Sequence, residues 1–245
     1  MKRPGHETRY LRSRRAMKSL GLVVGLGPAA GIFYYRQLVR ALNKLPLRPE
    51  FILAHADVGT ARSLAAGSKT ADLADYMLRF LVVLEKAGCE VAAISAVTPH
   101  LCLPELRSLS PIPIVSLLDA ARDGVLDRMQ RVAIFGTRQT IESDLFGALT
   151  GVDVVRPRPS EIARIAAIYG AAVDRFGATQ DDLAELAVIA NELFRREAID
   201  AVVVAGTDLS DAFDAHPPNY QYVDVSILHL DAIYDSIVLS ARPHF

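Results

Sequence analysis

The chain has 245 residues, 51% of them apolar and 22% charged, with 15 Gly and 13 Pro. That composition belongs to a folded protein of one large or two small domains and excludes a disordered or collagen-like chain. A net charge of −1 supplies no bulk field for nucleic acid or an acidic membrane, so neither is expected as a partner. The only two cysteines, Cys89 and Cys102, cannot build a disulfide scaffold and suit a reducing cytoplasm. No uncharged run reaches the roughly 18 residues of a membrane helix.

Residues 1–18 stand apart. Lys2, Arg3, Arg9, Arg12, Arg14, Arg15 and Lys18 face a single acid, Glu7. Ser13-Arg14-Arg15 ahead of the apolar Leu20-to-Ile32 run has the outline of a twin-arginine export signal. The competing reading is a solvated basic leader before a first strand, with Met17 as a possible true start. Gly25-Leu26-Gly27-Pro28 inside the apolar run favours the leader, because it reads as a strand-to-helix loop.

Beyond the leader, short apolar runs alternate with helix-period segments. Gly21–Val24, Phe51–Ala54, Val91–Ser95, Arg131–Phe135 and Ala201–Ala205 read as buried parallel strands. Ala71–Lys86 spaces Leu73, Met77, Phe80, Leu81 and Leu84 as an apolar helical stripe, and Ser160–Phe176 and Gln180–Arg196 behave alike. The pattern predicts an α/β fold with a mostly parallel sheet, whose ligands bind beyond the carboxyl ends of the strands. A weak echo recurs about 110 residues apart. Gly25 and Gly136 each end a strand, and Ile94-Ser95-Ala96-Val97-Thr98 is matched by Val204-Ala205-Gly206-Thr207-Asp208.

These strand ends hold the chemistry. The loop around Gly27 matches a dinucleotide fingerprint only superficially, since Pro28 occupies the turn. Its free N–H groups would suit a carboxylate, or the glycines simply permit a turn. Thr98 and His100 offer a hydroxyl and an imidazole for carboxylate binding and proton transfer. Equally, Thr98 could cap a helix and His100 could lie on the surface. Thr207-Asp208 repeats the arrangement with a carboxylate, which could also be a helix cap. Arg62, in the loop after the second strand together with His55, could clamp a carboxylate bidentately or face solvent. Asp224 to His229 closes a strand and opens the last helix. No histidine–carboxylate spacing suits zinc, so no metal is expected. Cys89 and Cys102 read as small buried hydrophobes rather than nucleophiles.

Taken together, these residues resemble the aspartate/glutamate racemase superfamily, which includes hydantoin racemases, maleate isomerases and arylmalonate decarboxylases. The resemblance runs from about Ser19 to Ser240. It is carried by Gly25-Leu26-Gly27-Pro28 with Phe33-Tyr34, Thr98-Pro99-His100, Gly136-Thr137 with Thr140 and Ser143, Thr207-Asp208, and Asp224 with His229. It implies two pseudo-symmetric parallel-sheet subdomains with the active site in the cleft between them, no pyridoxal phosphate or other cofactor, and a homodimer. Residues 19–115 with 226–245 would form subdomain 1, and 116–225 subdomain 2. The resemblance implies two cysteines, one in each half, that flank the substrate's α-carbon in the racemases of this family, while some relatives replace the first with threonine and the decarboxylases keep only one. At the matching positions this sequence has Ala96 and Gly206, and neither side chain can move a proton.

What the resemblance leaves is a binding shell of Gly27, Arg62, Thr98, Gly136, Thr137, Gly206 and Thr207 for a small carboxylate or amino-acid substrate. Arg175 lies near a carboxylate-binding lysine of the amino-acid racemases, two residues too far from Ile168-Tyr169. The expected function is a cofactor-independent, non-thiol enzyme acting at or beside the α-carbon, as a one-base lyase or isomerase or as a racemase. His100, Asp208 and His229 are the candidate bases. Gly206 and Ala96 would enlarge the cleft for a bulkier substrate. The alternative is a catalytically silent carboxylate-binding sensor.

Overall fold

A computed structural model describes residues 17–45, 50–67 and 70–238. The basic leader expected over 1–18 therefore lies outside the described residues, except for Met17 and Lys18. The chain forms two four-stranded parallel sheets. The first contains β1 (Leu20–Val24), β2 (Phe51–His55), β3 (Val91–Ile94) and β4 (Ile114–Val115), in the order β2-β1-β3-β4. The second contains β5 (Arg131–Phe135), β6 (Asp153–Val154), β7 (Ala201–Val204) and β8 (Tyr222–Asp224), in the order β6-β5-β7-β8. The two orders are the same pattern played twice, which is what the echo in the sequence foretold.

The helices are α1 (Pro28–Leu42), α2 (Val58–Ala66), α3 (Thr70–Lys86), α4 (Leu103–Leu109) and α5 (Leu117–Leu126) in the first half of the chain. The second half adds α6 (Arg138–Glu142), α7 (Pro159–Asp174), α8 (Gln180–Glu197), α9 (Ser210–Ala215) and α10 (Val225–Val238). Short 3-10 turns at Thr98–Cys102 and Thr207–Leu209 follow β3 and β7 at equivalent places.

Burial explains the pattern. The inner strands β1, β3 and β7 are buried at every position, because helices cover both faces of a parallel sheet and leave no polar face to alternate with. The second strand departs from the expectation of burial. As an edge it leaves Ile52 and Leu53 each 39% exposed. Helix α3 turns Leu73, Ala74, Met77, Leu81 and Leu84 inward, and each large aliphatic side chain so buried contributes about 1.5–3 kcal/mol. Helix α8 starts in a capping box between Thr179 and Asp182 and ends on Ala198 in the left-handed region at φ 51°. Helix α10 returns to the first sheet, where Leu230, Ile233 and Ile237 join the cluster of Leu20, Leu22 and Phe33.

Register positions the site. Val24 pairs with His55, Val23 with Ile94, and Phe135 with Val204. Gly25, Ser95, Gly136 and Ala205 therefore leave their sheets at matching carboxyl ends. Among the described residues no helix is long and apolar enough to cross a membrane.

Candidate active site

A cavity of about 370 Å³ opens at these strand ends, and both halves of the chain line it. Leu26 follows β1, Arg62 comes from α2, Thr98 follows β3, Thr137 and Arg138 follow β5, and Tyr169 projects from α7. This is where a doubly wound parallel sheet places its ligand. Two guanidinium groups, one from each half, bring positive charge to the mouth. Arg62 also pairs with Asp174 at 3.2 Å, and Arg138 with Glu142 at 3.0 Å. Both pairs are largely exposed, so either arginine can turn to an anion at little cost. The Thr137 hydroxyl accepts from the Thr140 amide at 3.1 Å, capping α6.

Behind the lining lies the strand-end wall of the second sheet, where the chain folds on the strength of its glycines. Gly27 has φ −167° and ψ 106°, extended backbone open to any residue, so its role is space. A Cβ there would sit 2.0 Å from Asp208 Oδ2. The approach lets the buried Asp208 carboxylate reach the start of α1, where Oδ1 accepts from Ala30 N at 3.2 Å. No side chain of the loop itself caps α1; a carboxylate from the other half stands in, satisfying a free amide and meeting the positive end of the helix. Burial nevertheless pushes the Asp208 carboxyl up, against the pull of the Ala30 amide and the Tyr169 hydroxyl. Asp208 does not cap the helix that follows it, the local alternative the sequence offered, but bonds to the start of α1 in the other half.

Tyr169, like Arg138, is a lining residue that sequence reasoning missed. Its hydroxyl donates to Asp208 Oδ2 at 3.3 Å. Its ring lies against Gly206, where an added Cβ would stand 2.6 Å from Cδ2. Burial, then the neighbouring Asp208 charge, raises the phenol well above its ordinary range. The expectation that Gly206 enlarges the cleft is therefore corrected: the aromatic ring occupies the space. Thr207 Oγ1 is buried without a hydrogen-bond partner, near enough to influence the Tyr169 phenol but outside hydrogen-bond geometry. Gly136 packs under the same wall, where a Cβ would lie 2.9 Å from Ala205 O. Ala96 is buried in the first-half core.

The two histidines are placed elsewhere, and their role as bases is revised. Leu117 N donates to His100 Nε2 at 3.2 Å, which leaves Nδ1–H to donate to Ala96 O at 2.9 Å. Likewise His229 Nε2–H donates to Val115 O at 3.0 Å while Nδ1 accepts from the Tyr34 hydroxyl at 3.0 Å. All four ring nitrogens are spent inside the fold. Desolvation pushes His100 down to about 4 and His229 to about 3. Their rings meet edge-on at 6.1 Å, gripping the chain at Val115 and Leu117 where it passes from the first sheet to the second.

Arg175 also misses the cavity, pairing instead with Asp182. Cys89 and Cys102 are free and buried. Burial pushes both thiols up, Cys102 to about 12, the reverse of an activated nucleophile. Among the described residues no group of three or more His, Cys, Asp or Glu side chains converges as metal ligands would.

Comparison with known proteins matches this architecture. The structure is similar over 92% of the chain to all of an aspartate racemase homologue from Pyrococcus horikoshii, at 23% identity and a TM-score of 0.74. It is similar over 89% of the chain to 94% of an aspartate racemase from Picrophilus torridus, at 14% identity and a TM-score of 0.70. A glutamate racemase from Thermus thermophilus matches over 94% of this chain and 84% of its own, at 18% identity and a TM-score of 0.61. At these identities the likeness establishes the fold. The model of the Asp/Glu/Hydantoin racemase family, however, matches residues 23–233 of the sequence itself, and the chain belongs to that family.

Proposed function

We propose that this family member is a cofactor-independent enzyme that acts at, or next to, the α-carbon of a small carboxylic or amino acid. It would work as a one-base lyase or isomerase, or as a racemase, without a thiol. The observation that carries the reading is the cavity at the paired strand ends, lined by Arg62 and Thr98 from one half and by Thr137 and Arg138 from the other. A guanidinium holds a carboxylate in two parallel hydrogen bonds. The same positive charge stabilises the enolate-like charge that builds up when a bond to the α-carbon breaks. The buried, raised thiols of Cys89 and Cys102 support chemistry that does not use sulfur. Their unpaired state suits work in the reducing cytoplasm.

The test is proton NMR in D₂O with a panel of small amino and dicarboxylic acids. Loss of an α-proton signal, or a new product peak, is the expected result for at least one member. Arg62→Ala should weaken binding of that member about tenfold, the worth of one charge-assisted hydrogen-bond pair, and leave thermal stability unchanged because the Arg62–Asp174 pair is exposed. A thermal shift with a panel member that is never converted would replace the enzyme with a binding protein. No shift with any member would remove the cavity reading altogether.

A further inference from the structure

The two halves of the chain are not equivalent at the paired strand ends. After β3 in the first half, Ala96 is buried in the core and is not among the residues that line the cavity. On the second-half wall, the phenol of Tyr169 stands where a side chain on residue 206 would project, since an added Cβ there meets the ring at 2.6 Å. Tyr169 is among the residues that line the cavity, and Asp208 is not. Asp208 Oδ2 accepts from the Tyr169 hydroxyl at 3.3 Å, while Oδ1 is anchored by Ala30 N at 3.2 Å. The carboxylate is held from the far side by a helix start, and among the described residues its hydrogen-bonded side-chain partner is the phenol.

From this geometry we propose that Tyr169 is the proton-carrying catalytic residue of the second-half wall and that Asp208 is its positioning residue and proton store. The proposal rests on the reading of the cavity as the reaction site. A proton leaving the substrate carbon passes to Tyr169 Oη as the C–H bond breaks. The phenol's own proton moves at the same time along the hydrogen bond to Asp208 Oδ2. The carbon keeps the electron pair as an enolate held against the guanidinium groups, tyrosine stays neutral, and the carboxylate becomes a carboxylic acid. The reverse transfer returns a proton to carbon, so the cycle needs no co-reactant. Arg62 is a charged side chain that bears on both members of the pair. Sequence pattern alone hides the arrangement because the two partners lie on different elements, α7 and the turn after β7.

The test uses the full chain labelled with ¹³C at tyrosine Cζ. The chain has eight tyrosines, and the Tyr169 line is the one lost in Tyr169→Phe, a change that keeps the ring against Gly206. That line should show an inflection as Asp208 gains or loses its proton, displaced upward from the range of an ordinary carboxyl, and Asp208→Asn, which keeps an oxygen for the Ala30 amide, should abolish it. Malonate, used as a probe carboxylate, should raise the melting temperature and shift the same line. An inflection that is absent, or that survives in Asp208→Asn, overturns the pairing. A malonate-stabilised protein whose Tyr169 line does not move overturns the catalytic role. If Asp208→Asn abolishes the inflection but malonate changes neither melting temperature nor any line, the cavity reading fails and the transfer step fails with it, while the Tyr169–Asp208 pair stands.

Discussion

Gly27 and Asp208 meet across the boundary between the two halves, so closely that a methyl group on residue 27 would lie 2.0 Å from the Asp208 carboxylate. Because the Gly27 backbone is extended, a larger residue would pay no conformational penalty there; the objection is steric. The contact joins the loop after β1 to the turn after β7, and it seats a buried carboxylate on the first turn of α1.

Gly27→Ala should therefore destabilise the fold by about 2 kcal/mol, within the range for an overpacked buried site. Removing the obstacle in Gly27→Ala/Asp208→Ala should cost less than the sum of the two single changes, since each acts on the same contact. Urea unfolding of the four proteins checks this. Strict additivity would mean that the loop relaxes away from Asp208 and that the approach is not constrained.

Five strands and the three longest described helices can be read from the sequence because strands buried on both faces become continuous apolar runs, and amphipathic helices keep their stripe. The strands β4, β6 and β8 span two or three residues each, too short to carry a period. The edge position of β2 is invisible as well, since Phe51–Ala54 is as apolar as a central strand. At the site, Thr98 and Thr137 can be found because they follow strand ends, whereas Arg62, expected with His55 in the loop after the second strand, lies in helix α2 and His55 ends β2. Tyr169 cannot be found, because it lies midway along α7 and its partners come from a distant turn. The one available signal was Gly206 itself: a missing side chain beside a buried wall asks what fills the gap. The histidines misled for the opposite reason. A histidine near a strand end looks the same in sequence whether its nitrogens are free or, as in His100 and His229, fully engaged.

That engagement has a measurable consequence. Both histidines are held neutral by burial, with folded values of about 4 and about 3 against about 6.5 in an unfolded chain. A depressed value means that the unfolded state binds the proton first. The stability contributed by each neutral ring is complete above pH 6.5 and is lost as pH falls towards 4, at up to about 1.4 kcal/mol per pH unit for each ring. The C2 proton resonances of His100 and His229 should stay at their neutral positions from pH 8 to pH 5, assigned by His100→Asn and His229→Asn. A resonance that titrates near 6.5 in the folded protein would return that histidine to the list of candidate bases.

Asp224 should act in the opposite sense, and the contrast separates the two effects. Its Oδ1 accepts from Ser210 Oγ at 3.0 Å and Ser226 N at 2.7 Å, yet burial outweighs these bonds and pushes the carboxyl up to about 6. A raised folded value means that the folded state holds the proton between about pH 4 and pH 6. Stability from this group is therefore complete below pH 4 and is lost as pH rises through 6. Asp224→Asn keeps an oxygen for both donors but carries no charge. It should be more stable than the parent by about 1–3 kcal/mol at pH 8, and the advantage should disappear near pH 4, where the parent's carboxyl is already neutral. Urea unfolding of both proteins at the two pH values gives the difference directly. A variant less stable than the parent at pH 8 would show that Ser210 and Ser226 hold a charged carboxylate, so that burial is the weaker of the two effects.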